Sequence, residues 1–452
     1  MSITTPRPAA IQQHAIPGPD GLPLLGMTRA LRTDLLGTLQ DGFARYGDVV
    51  AYRVGPARGP RRLRRQLVAV HHPDDVRRVF TDVETFTRRT ATYRAVRELF
   101  GMNIATADGD DWRRQKRLLQ PLFTRAAADH YAAVIEQEAR AIVARIGQAP
   151  DGTIDALRTT EQYALRVLGR TLFADERGID ADTVAALERL VPVVSRQLPA
   201  RARQRLRLPL RWPTPRNRRV AETRDALHAT IDRLLAHQRN GDPSHGDGSD
   251  LLGQLRDARD PDGGRPLSPT EVRDQAMMFL LAGYTTTSSA LCSTLQLLGR
   301  HPDVQAQVAA GGDALALAAV EESLRLHPPS YVLARKVGAD GAELAGWTLP
   351  PGTDVLVSPW VTHRHPAFWP DPERFDPLRF VDPDERPAYA WFPFGGGARA
   401  CIGRHLSLLE SRSFVRALLE RYRIESLDAH MPMDQLSTMR PSKPVRIRCL
   451  PR

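Results

Sequence analysis

The chain has 452 residues, of which 42% are hydrophobic and 25% are charged, a composition typical of a globular protein and not of a disordered one. Its net charge of +11, carried almost entirely by arginine, raises the question of a nucleic-acid or membrane-surface partner. Three cysteines exclude a disulfide framework, and the polar N-terminus has no apolar run that could span a bilayer, so we expect a cytoplasmic protein without a membrane span.

The predicted elements begin with a proline- and glycine-rich arm over residues 1–25. Two β-rich runs follow at 49–54 and 67–70, and the glycines and prolines between them indicate a connected strand pair. From residue 73 onward, apolar residues recur at spacings of three and four, which is typical of helices packed on a core.

The clearest helix covers residues 269–298. Ser268, Pro269 and Glu271 supply an N-cap, a proline in the first turn and the returning carboxylate of a capping box. Short β segments come later in the chain, and a last helix covers 403–422. We therefore predict a mainly α protein with a small β region and no linker between independent domains.

The most informative segment is FGGGARACIG, which contains Cys401. Consecutive glycines permit backbone conformations closed to other residues, which suits a loop pressed against a flat ligand. Cys401 precedes the last predicted helix, whose N-terminal amides favour a thiolate, and Arg399 is suited to bind a carboxylate. A thiolate, a glycine loop and such an arginine together predict haem, with the iron on the sulfur and a propionate on the arginine.

This segment resembles the cysteine signature of the cytochrome P450 superfamily, matched at every fixed position. The resemblance implies haem b with Cys401 as the axial iron ligand, and haem contacts from Phe394, Gly395, Arg399 and Gly403. It also implies a single catalytic domain over residues 26–452, with a triangular helical body and a long central helix over the haem.

Within the long helix, the run from Ala282 and Gly283 to Thr285 and Thr286 resembles the oxygen-binding groove of the same family. Glycine costs about 1 kcal/mol inside a helix and threonine is a poor helix former, so the run predicts a functional kink. The resemblance implies haem contacts from Ala282 and Gly283 and proton delivery to dioxygen by Thr286. It also implies a catalytic position for Thr285, which stands where the family has an acid. A hydroxyl does not supply a proton as an acid does, so delivery relies on water, on the substrate or on another route. The alternative is that both hydroxyls bond back to their own helix.

Further segments follow the family's order. Glu322 and Arg325, together with Arg374, resemble its structural glutamate–arginine–arginine cluster, although an isolated pair three residues apart is usually a weak surface bridge.

Cations that match the family's propionate ligands occur on a helix and on a strand. Trp112 begins a tryptophan–arginine element in which Lys116 replaces the arginine, a change that keeps the charge and loses bidentate geometry. Either Lys116 or the neighbouring Arg117 is then the candidate for a haem propionate. Arg335 matches a propionate-binding arginine on a strand.

The resemblance implies insertion of one oxygen atom from O2 into a C–H or C=C bond of a hydrophobic small molecule. Electrons would come from NAD(P)H through a separate ferredoxin and its reductase, because the chain has no cluster spacing and no dinucleotide fingerprint. The amino-terminal half resembles soluble actinobacterial members that oxidise terpenoids. By family position, the substrate contacts, each of which has ordinary core as its alternative, are Tyr93, Leu99, Phe279, Tyr284, Tyr331, Val332, Leu333, Thr438 and Met439.

Two rival functions stay open. Thr285 at the acid position is compatible with a haem enzyme of atypical chemistry: a peroxygenase, an isomerase or an oxidative coupling enzyme. A basic nucleic-acid-binding protein is a remote alternative, because no helix-turn-helix, zinc-ligand or aromatic RNA-binding pattern occurs. We expect a monomer that binds no nucleic acid.

The positive charge is unevenly distributed. Residues 196–219 hold nine arginines and no acid, and residues 58–65 hold five more. The first group falls where the family places substrate entry. A smaller cluster, hypothesised to steer an acidic ferredoxin, comprises Arg113, Arg114, Lys116, Arg117 and Arg404.

Overall fold

A computed structural model describes residues 15–56, 65–149, 151–173, 181–204, 208–239, 251–260, 264–381 and 386–452. These residues form α1 Ala30–Thr33, α2 Leu35–Tyr46, α3 Pro73–Thr81, α4 Ala91–Phe100, α5 Gly109–Leu119, α6 Arg125–His130, α7 Ala132–Ile146, α8 Ala156–Phe173, α9 Ala181–Ala202, α10 Pro215–Arg239, α11 Leu251–Asp257, α12 Pro269–Arg300, α13 Pro302–Ala310, α14 Gly312–Leu326, α15 Pro359–Thr362 and α16 Arg404–Arg421.

The strands are short and fewer than the helices, which confirms the predicted fold class. They are β1 Val49–Val54, β2 Arg65–Val70, β3 Phe86–Thr87, β4 Thr153–Asp155, β5 Leu333–Val337, β6 Ala342–Leu344, β7 Trp347–Leu349, β8 Asp354–Val357, β9 Tyr422–Ser426, β10 Met433–Gln435, β11 Met439–Pro441 and β12 Arg446–Pro451.

The chain folds into two compact units. Unit 1 comprises Met1–Thr90, Ser330–Arg374 and Asp384–Cys401, and unit 2 comprises Ala91–Pro329, Phe375–Pro383 and Ile402–Arg452.

Unit 1 is built on a five-stranded sheet of order β1-β2-β8-β5-β3. β2 runs parallel to β8, and the other neighbouring strands are antiparallel. Valines of the central strands pack with Val76, Val79 and Phe80 of α3 in one core cluster, because alternate strand residues face the same side. The described part of the N-terminal arm follows β1, where the Ala51 amide donates to the Pro17 carbonyl at 2.8 Å.

Unit 2 is built on α12, whose 32 residues extend about 48 Å at the usual rise per residue. The predicted capping box is present: the Ser268 hydroxyl accepts from the Glu271 amide, and the Glu271 carboxylate accepts from the Ser268 amide. The helix continues past Gly299 and ends at Arg300, before Pro302. No helix among the described residues is long and apolar enough to cross a membrane.

One residue of the arginine-rich stretch is an internal structural element. Arg201 is 2% exposed. Its guanidinium donates to Glu98 of α4 at 2.7 Å, to Asn217 of α10 at 2.9 Å and to the Leu208 carbonyl at 3.0 Å. Arg201, which lies on α9, therefore joins this helix to α4, to α10 and to the connection between α9 and α10. Residues 205–207 of this stretch, and 58–64 of the second group of arginines, lie outside the described residues.

We predict that Arg201→Ala lowers the free energy of unfolding by about 3 kcal/mol, because it leaves buried hydrogen-bond acceptors without their donor. Arg203→Ala, at an exposed position two residues on, is the matched control and should stay within about 0.5 kcal/mol of the parent. Urea unfolding of both variants provides the comparison, and equal losses would contradict the structural role of Arg201.

Candidate active site

The cysteine loop of unit 1 is held by hydrogen bonds at three points. The Cys401 amide donates to the Phe394 carbonyl at 2.8 Å, which closes the loop after the 3-10 turn Gly397–Arg399. The Gly397 amide donates to the Tyr389 hydroxyl at 3.1 Å, and the Phe392 amide donates to His363 Nε2 at 2.8 Å. Cys401 itself is exposed at the end of this fixed loop.

Phe80 of α3 contacts the cysteine loop and two side chains near it. Gly397 has φ +62°, and a Cβ on it would lie nearer than 3.0 Å to the Phe80 carbonyl oxygen. The Arg335 guanidinium lies 5.1 Å from the centroid of the Phe80 ring, and the Tyr389 ring stacks on it at 6.1 Å. Sequence reasoning missed Phe80, because its spacing is that of an ordinary amphipathic core helix and no local signal marks it.

The residues of the loop fit haem. Gly395 has φ +68°, and a Cβ there would meet nothing within 4 Å, so bare backbone of the loop faces open space. A Cβ on Gly403 of unit 2 would likewise meet nothing within 4 Å. Arg335 and Arg399 are 2% and 9% exposed, and buried guanidinium groups are suited to bind carboxylates such as propionates.

The other two cysteines differ from Cys401 in exposure. Cys292 and Cys449 are buried, and burial raises the pKa of both thiols, that of Cys449 to about 12. Neither is therefore a thiolate at neutral pH. Of the three cysteines, Cys401 is the one accessible to a ligand.

In unit 2, residues 282–287 all belong to the helix α12. The Thr285 hydroxyl donates to the Leu281 carbonyl at 2.9 Å and the Thr286 hydroxyl to the Ala282 carbonyl at 2.7 Å, the back-bonding that was the alternative reading. A Cβ on Gly283 would lie 3.1 Å from the Leu168 side chain of α8. The packing of α8 against α12 therefore leaves little room for a side chain at position 283, which the sequence alone does not show.

Trp112 and Lys116 lie together on α5. The Lys116 ammonium is 5.4 Å from the Trp112 ring centroid, and Trp112 is buried. Arg117, the other propionate candidate, binds the buried Asp260 carboxylate through two hydrogen bonds of 3.1 and 2.9 Å. The Arg117 guanidinium therefore has a carboxylate partner within the protein, and which of the two cations binds a propionate stays a prediction.

The small basic cluster is partly neutralised within its own unit. Arg113 pairs with Asp110, and Arg114 pairs with Glu271, in addition to the Arg117 pair described above. Arg404 is exposed at the start of α16. The net charge that this cluster offers to a partner is smaller than its sequence implies.

Glu322 and Arg325 form a fully buried, bidentate ion pair, with N···O distances of 2.7 and 2.8 Å. The Glu322 carboxylate also accepts from the Asp376 amide at 3.0 Å, and Arg379 lies 3.6 Å from it. Burial raises the pKa of Glu322, although Arg325 acts in the opposite direction. Sequence reasoning missed Arg379, which lies in unit 2, whereas Arg374 belongs to unit 1.

The expected substrate contacts divide by burial. Leu99, Phe279 and Tyr284 belong to the hydrophobic core of unit 2, with Phe279 packed on Phe123 at 5.0 Å, and Met439 is also buried. Tyr331 is buried in unit 1. The residues that keep intermediate exposure are Tyr93, Val332, Leu333 and Thr438.

A mainly helical chain with small sheets and an exposed cysteine at the end of a glycine-rich loop has the features of a haem-thiolate protein. The family model of cytochrome P450 matches residues 16–313 and 314–449. The chain belongs to the cytochrome P450 family, whose members bind haem b, and is a P450 monooxygenase.

Curated relatives match over most of their length. The chain is 33% identical to cyclooctat-9-en-7-ol 5-monooxygenase of Streptomyces melanosporofaciens, covering 90% of this chain and 88% of that one. It is 31% identical to pentalenene oxygenase of Streptomyces avermitilis, covering 89% and 90%. A 6-coordinated cytochrome P450 from Thermus thermophilus superposes with a TM-score of 0.71 at 26% identity, covering 92% of this chain and 99% of the other.

We predict that Gly397→Ala lowers haem content and destabilises the protein by at least about 3 kcal/mol. The added Cβ would clash with the Phe80 carbonyl, and the positive φ adds backbone strain. Gly352→Ala is the matched control, since Gly352 has φ +79° and its Cβ would meet nothing within 4 Å. It should lose about 1–2 kcal/mol from strain alone. The measurements are pyridine haemochrome content and thermal unfolding, and equal behaviour of the two variants would refute the role of the close approach.

Proposed function

We propose that this P450 oxygenates a hydrophobic, terpenoid-like small molecule, with two electrons from NAD(P)H delivered by a ferredoxin and its reductase. The observation that carries the proposal is the near full-length similarity to relatives named for oxygenating pentalenene and cyclooctat-9-en-7-ol. Those names denote an alkene and an alkenol, which have few polar groups. The apolar and aromatic character of the expected contact residues supports the same substrate class.

In the proposed reaction, one atom of O2 enters a C–H or C=C bond of the substrate and the other leaves as water, which consumes two electrons and two protons. Haem bound through a thiolate supplies the chemistry that favours O–O cleavage. Cys401 is proposed as the iron ligand, since it is exposed on a loop held in place by hydrogen bonds. Arg335, Arg399 and Lys116 are proposed to bind the propionates, and the burial of both arginines supports this role.

The chain's own residues must also deliver protons without an acid at position 285. Thr286 is the proposed proton-delivering hydroxyl, and the accessibility of the neighbouring Ala282 supports access from solvent or ligand. In the described state its hydroxyl proton is directed at the Ala282 carbonyl, so delivery requires the hydroxyl to turn away from that bond. Thr285 is the second proposed catalytic residue, and its hydroxyl likewise donates to a carbonyl of its own helix, that of Leu281, in the described state.

Glu322, Arg325 and Arg374 are proposed to have a structural role without direct contact with the reacting groups, and the full burial of the Glu322–Arg325 pair supports this assignment. The enzyme is further proposed to act as a cytoplasmic monomer, and the low cysteine count supports a reducing compartment.

The proposal predicts that pentalenene or cyclooctat-9-en-7-ol gains a mass equal to one oxygen atom when the enzyme is supplied with O2, NAD(P)H, a ferredoxin and its reductase. Under ¹⁸O2 the label should enter the product. Thr286→Ala should lower the fraction of NAD(P)H recovered as product by about tenfold or more, because proton delivery by a positioned group typically contributes at least that much. Thr287→Ala, at the next helix position, is its control.

The second candidate function, peroxide-driven chemistry, follows from Thr285 at the acid position. A reaction with hydrogen peroxide in place of O2, NAD(P)H and ferredoxin separates the two. If product forms with peroxide alone and none forms in the complete electron-transfer system, the enzyme acts as a peroxygenase and the proposed use of O2 and NAD(P)H is wrong. Absence of labelled product from both substrates would reject the proposed substrate class.

A further inference from the structure

The loop between α4 and α5, residues 101–107, is bound to α12 by two consecutive side chains. The Met102 amide donates to Asp274 Oδ2 at 2.8 Å, and the Ile104 amide donates to Gln275 Oε1 at 3.0 Å. Asp274 and Gln275 are 4% and 0% exposed. Backbone amides that are shielded from water need acceptors, and α12 supplies them here. These two residues, Asp274 and Gln275, are called the α12 clamp.

The side chain of Gln275 also binds α5. Its Nε2 donates to Gln115 Oε1 at 2.9 Å, and Gln115 is fully buried. A side-chain amide has both an acceptor and donors, and Gln275 uses one for the loop and the other for the helix that follows the loop. The α12 clamp therefore connects three segments of unit 2.

The start of the loop leaves no room for a side chain. Gly101 has φ +70°, and its amide donates to the Arg97 carbonyl at 3.0 Å, so this glycine ends α4 in the left-handed conformation. A Cβ on Gly101 would lie nearer than 3.0 Å to the carboxylate of Asp274. The clamp is thus in close contact with the end of α4.

Hydrogen bonds within the loop define its shape. Asn103 Nδ2 donates to the Phe100 carbonyl, and Asn103 Oδ1 accepts from the Ala105 amide, both at 3.1 Å. The Thr106 hydroxyl donates to the Gly101 carbonyl at 2.9 Å and accepts from the Asn103 amide at 3.0 Å. Because these bonds fix the turn from within, the bonds to α12 are left to fix its position.

The loop joins two helices that carry expected functional residues. α4 contains Tyr93 and Leu99, which are expected substrate contacts, and α5 contains Trp112 and Lys116. Thr286 lies about three turns beyond the clamp on α12. A displacement of the loop on α12 would therefore move the end of α4, with Leu99, relative to the helix that carries Thr286.

Packing of the core does not explain a carboxylate at position 274. Ala276 and Met277, which follow the clamp on α12, belong to the apolar core of unit 2. Asp274 Oδ1 has no hydrogen-bond partner among the described residues, and an unsatisfied buried polar atom lowers stability. The bond from Oδ2 to the Met102 amide is what this carboxylate provides in return.

We propose that Asp274 and Gln275 are positioning residues for substrate binding, which hold the 101–107 loop on α12 and so fix the contact residues of α4 around a bound terpenoid-like molecule. The assignment of Tyr93 and Leu99 as substrate contacts rests on the proposed function. The hydrogen bonds from the clamp to the loop and to α5 do not.

The first test variant is Gln275→Met, which keeps the approximate volume of the side chain and removes its acceptor and donor. In the haem-loaded enzyme, hydrogen exchange of the Ile104 amide should become about fivefold faster, the opening expected from loss of one hydrogen bond. The Ala107 amide, which donates to the Asn103 carbonyl at 2.8 Å within the loop, should stay near its parental rate. Exchange is measured at single-residue resolution.

The same variant should weaken substrate binding more than turnover. With pentalenene, O2, NAD(P)H, ferredoxin and reductase, KM should rise about fivefold while kcat stays within about twofold of the parent. The reason is that the clamp acts on the contact residues of α4 and leaves the Thr286 hydroxyl in place. The dissociation constant of pentalenene, measured by calorimetry, should rise with KM.

The matched control is Gln305→Met on α13. Gln305 is also buried, its Oε1 accepts from the Ile424 amide at 2.9 Å, and its Nε2 donates to the Ile424 carbonyl at 2.8 Å. The same side chain thus binds the backbone of a different segment, β9, so a general effect on folding appears in both variants. Exchange of the Ile104 amide and KM should keep their parental values in Gln305→Met.

Asp274 provides a second, independent pair of variants. Asp274→Ala removes the acceptor of the Met102 amide, whereas Asp274→Asn keeps an oxygen at that place. Exchange of the Met102 amide should become about fivefold faster in Asp274→Ala, with KM raised, and Asp274→Asn should restore most of both. Equal behaviour of the two variants would contradict a role for this hydrogen bond.

The outcomes separate this inference from the proposed function. If the parent enzyme neither binds nor oxygenates pentalenene, the proposed function is in question, and exchange of the Met102 and Ile104 amides decides by itself whether the clamp holds the loop. Parental exchange in Gln275→Met would overturn the inference. Faster exchange with unchanged KM in an active parent, or an equal rise of KM in Gln305→Met, would also overturn it.

Discussion

The close approach between Gly397 and the Phe80 carbonyl is the contact on which the site in unit 1 depends. It brings the loop against α3, where the Phe80 ring also contacts the Arg335 guanidinium and stacks with the Tyr389 ring. With the backbone fixed there, the bond from the Cys401 amide to the Phe394 carbonyl leaves the thiol exposed at the end of the loop. A side chain at 397 would separate these groups, so the glycine is required by its neighbour as well as by its own φ angle.

Part of the excess of arginine, which first raised the question of nucleic acid, has an internal explanation in the described part of the chain. Arg325 is buried against Glu322, Arg201 against Glu98 and Asn217, and Arg335 against the Phe80 ring. The planar guanidinium group makes several directional hydrogen bonds at once, and this suits it to buried positions where lysine would leave acceptors unsatisfied. The charge thus contributes to the architecture of both units.

Local signals in the sequence predict the parts of the fold that depend on neighbouring residues. The capping box at Ser268, the strand at Val49–Val54 and the glycine-rich cysteine loop are all of this kind. The end of α12 was predicted two residues too early, because a single glycine near a helix end is tolerated when its neighbours continue to pack. A motif of fixed residue types was sufficient to predict the cytochrome P450 family.

Contacts between segments distant in sequence could not be predicted. Phe80 and Arg379 have no signal in their own segments, and their roles follow from tertiary packing alone. The run 282–287 predicted a kink from its composition, and the contacts it makes in the structure, hydroxyl back-bonds and the close approach of Leu168 to Gly283, depend on helix packing that composition does not show. Tyr284 was expected among substrate contacts by position, and the structure buries it in the hydrophobic core of unit 2.

The most direct test of the account is the difference spectrum of the reduced protein with carbon monoxide, recorded for the parent enzyme and for Cys401→Ser. A thiolate from Cys401 predicts the red-shifted Soret band that gives the family its name in the parent enzyme and its loss in the variant. A parent spectrum of the kind given by histidine-ligated haem, or a red-shifted band that survives in Cys401→Ser, would contradict the assignment of Cys401 as the iron ligand.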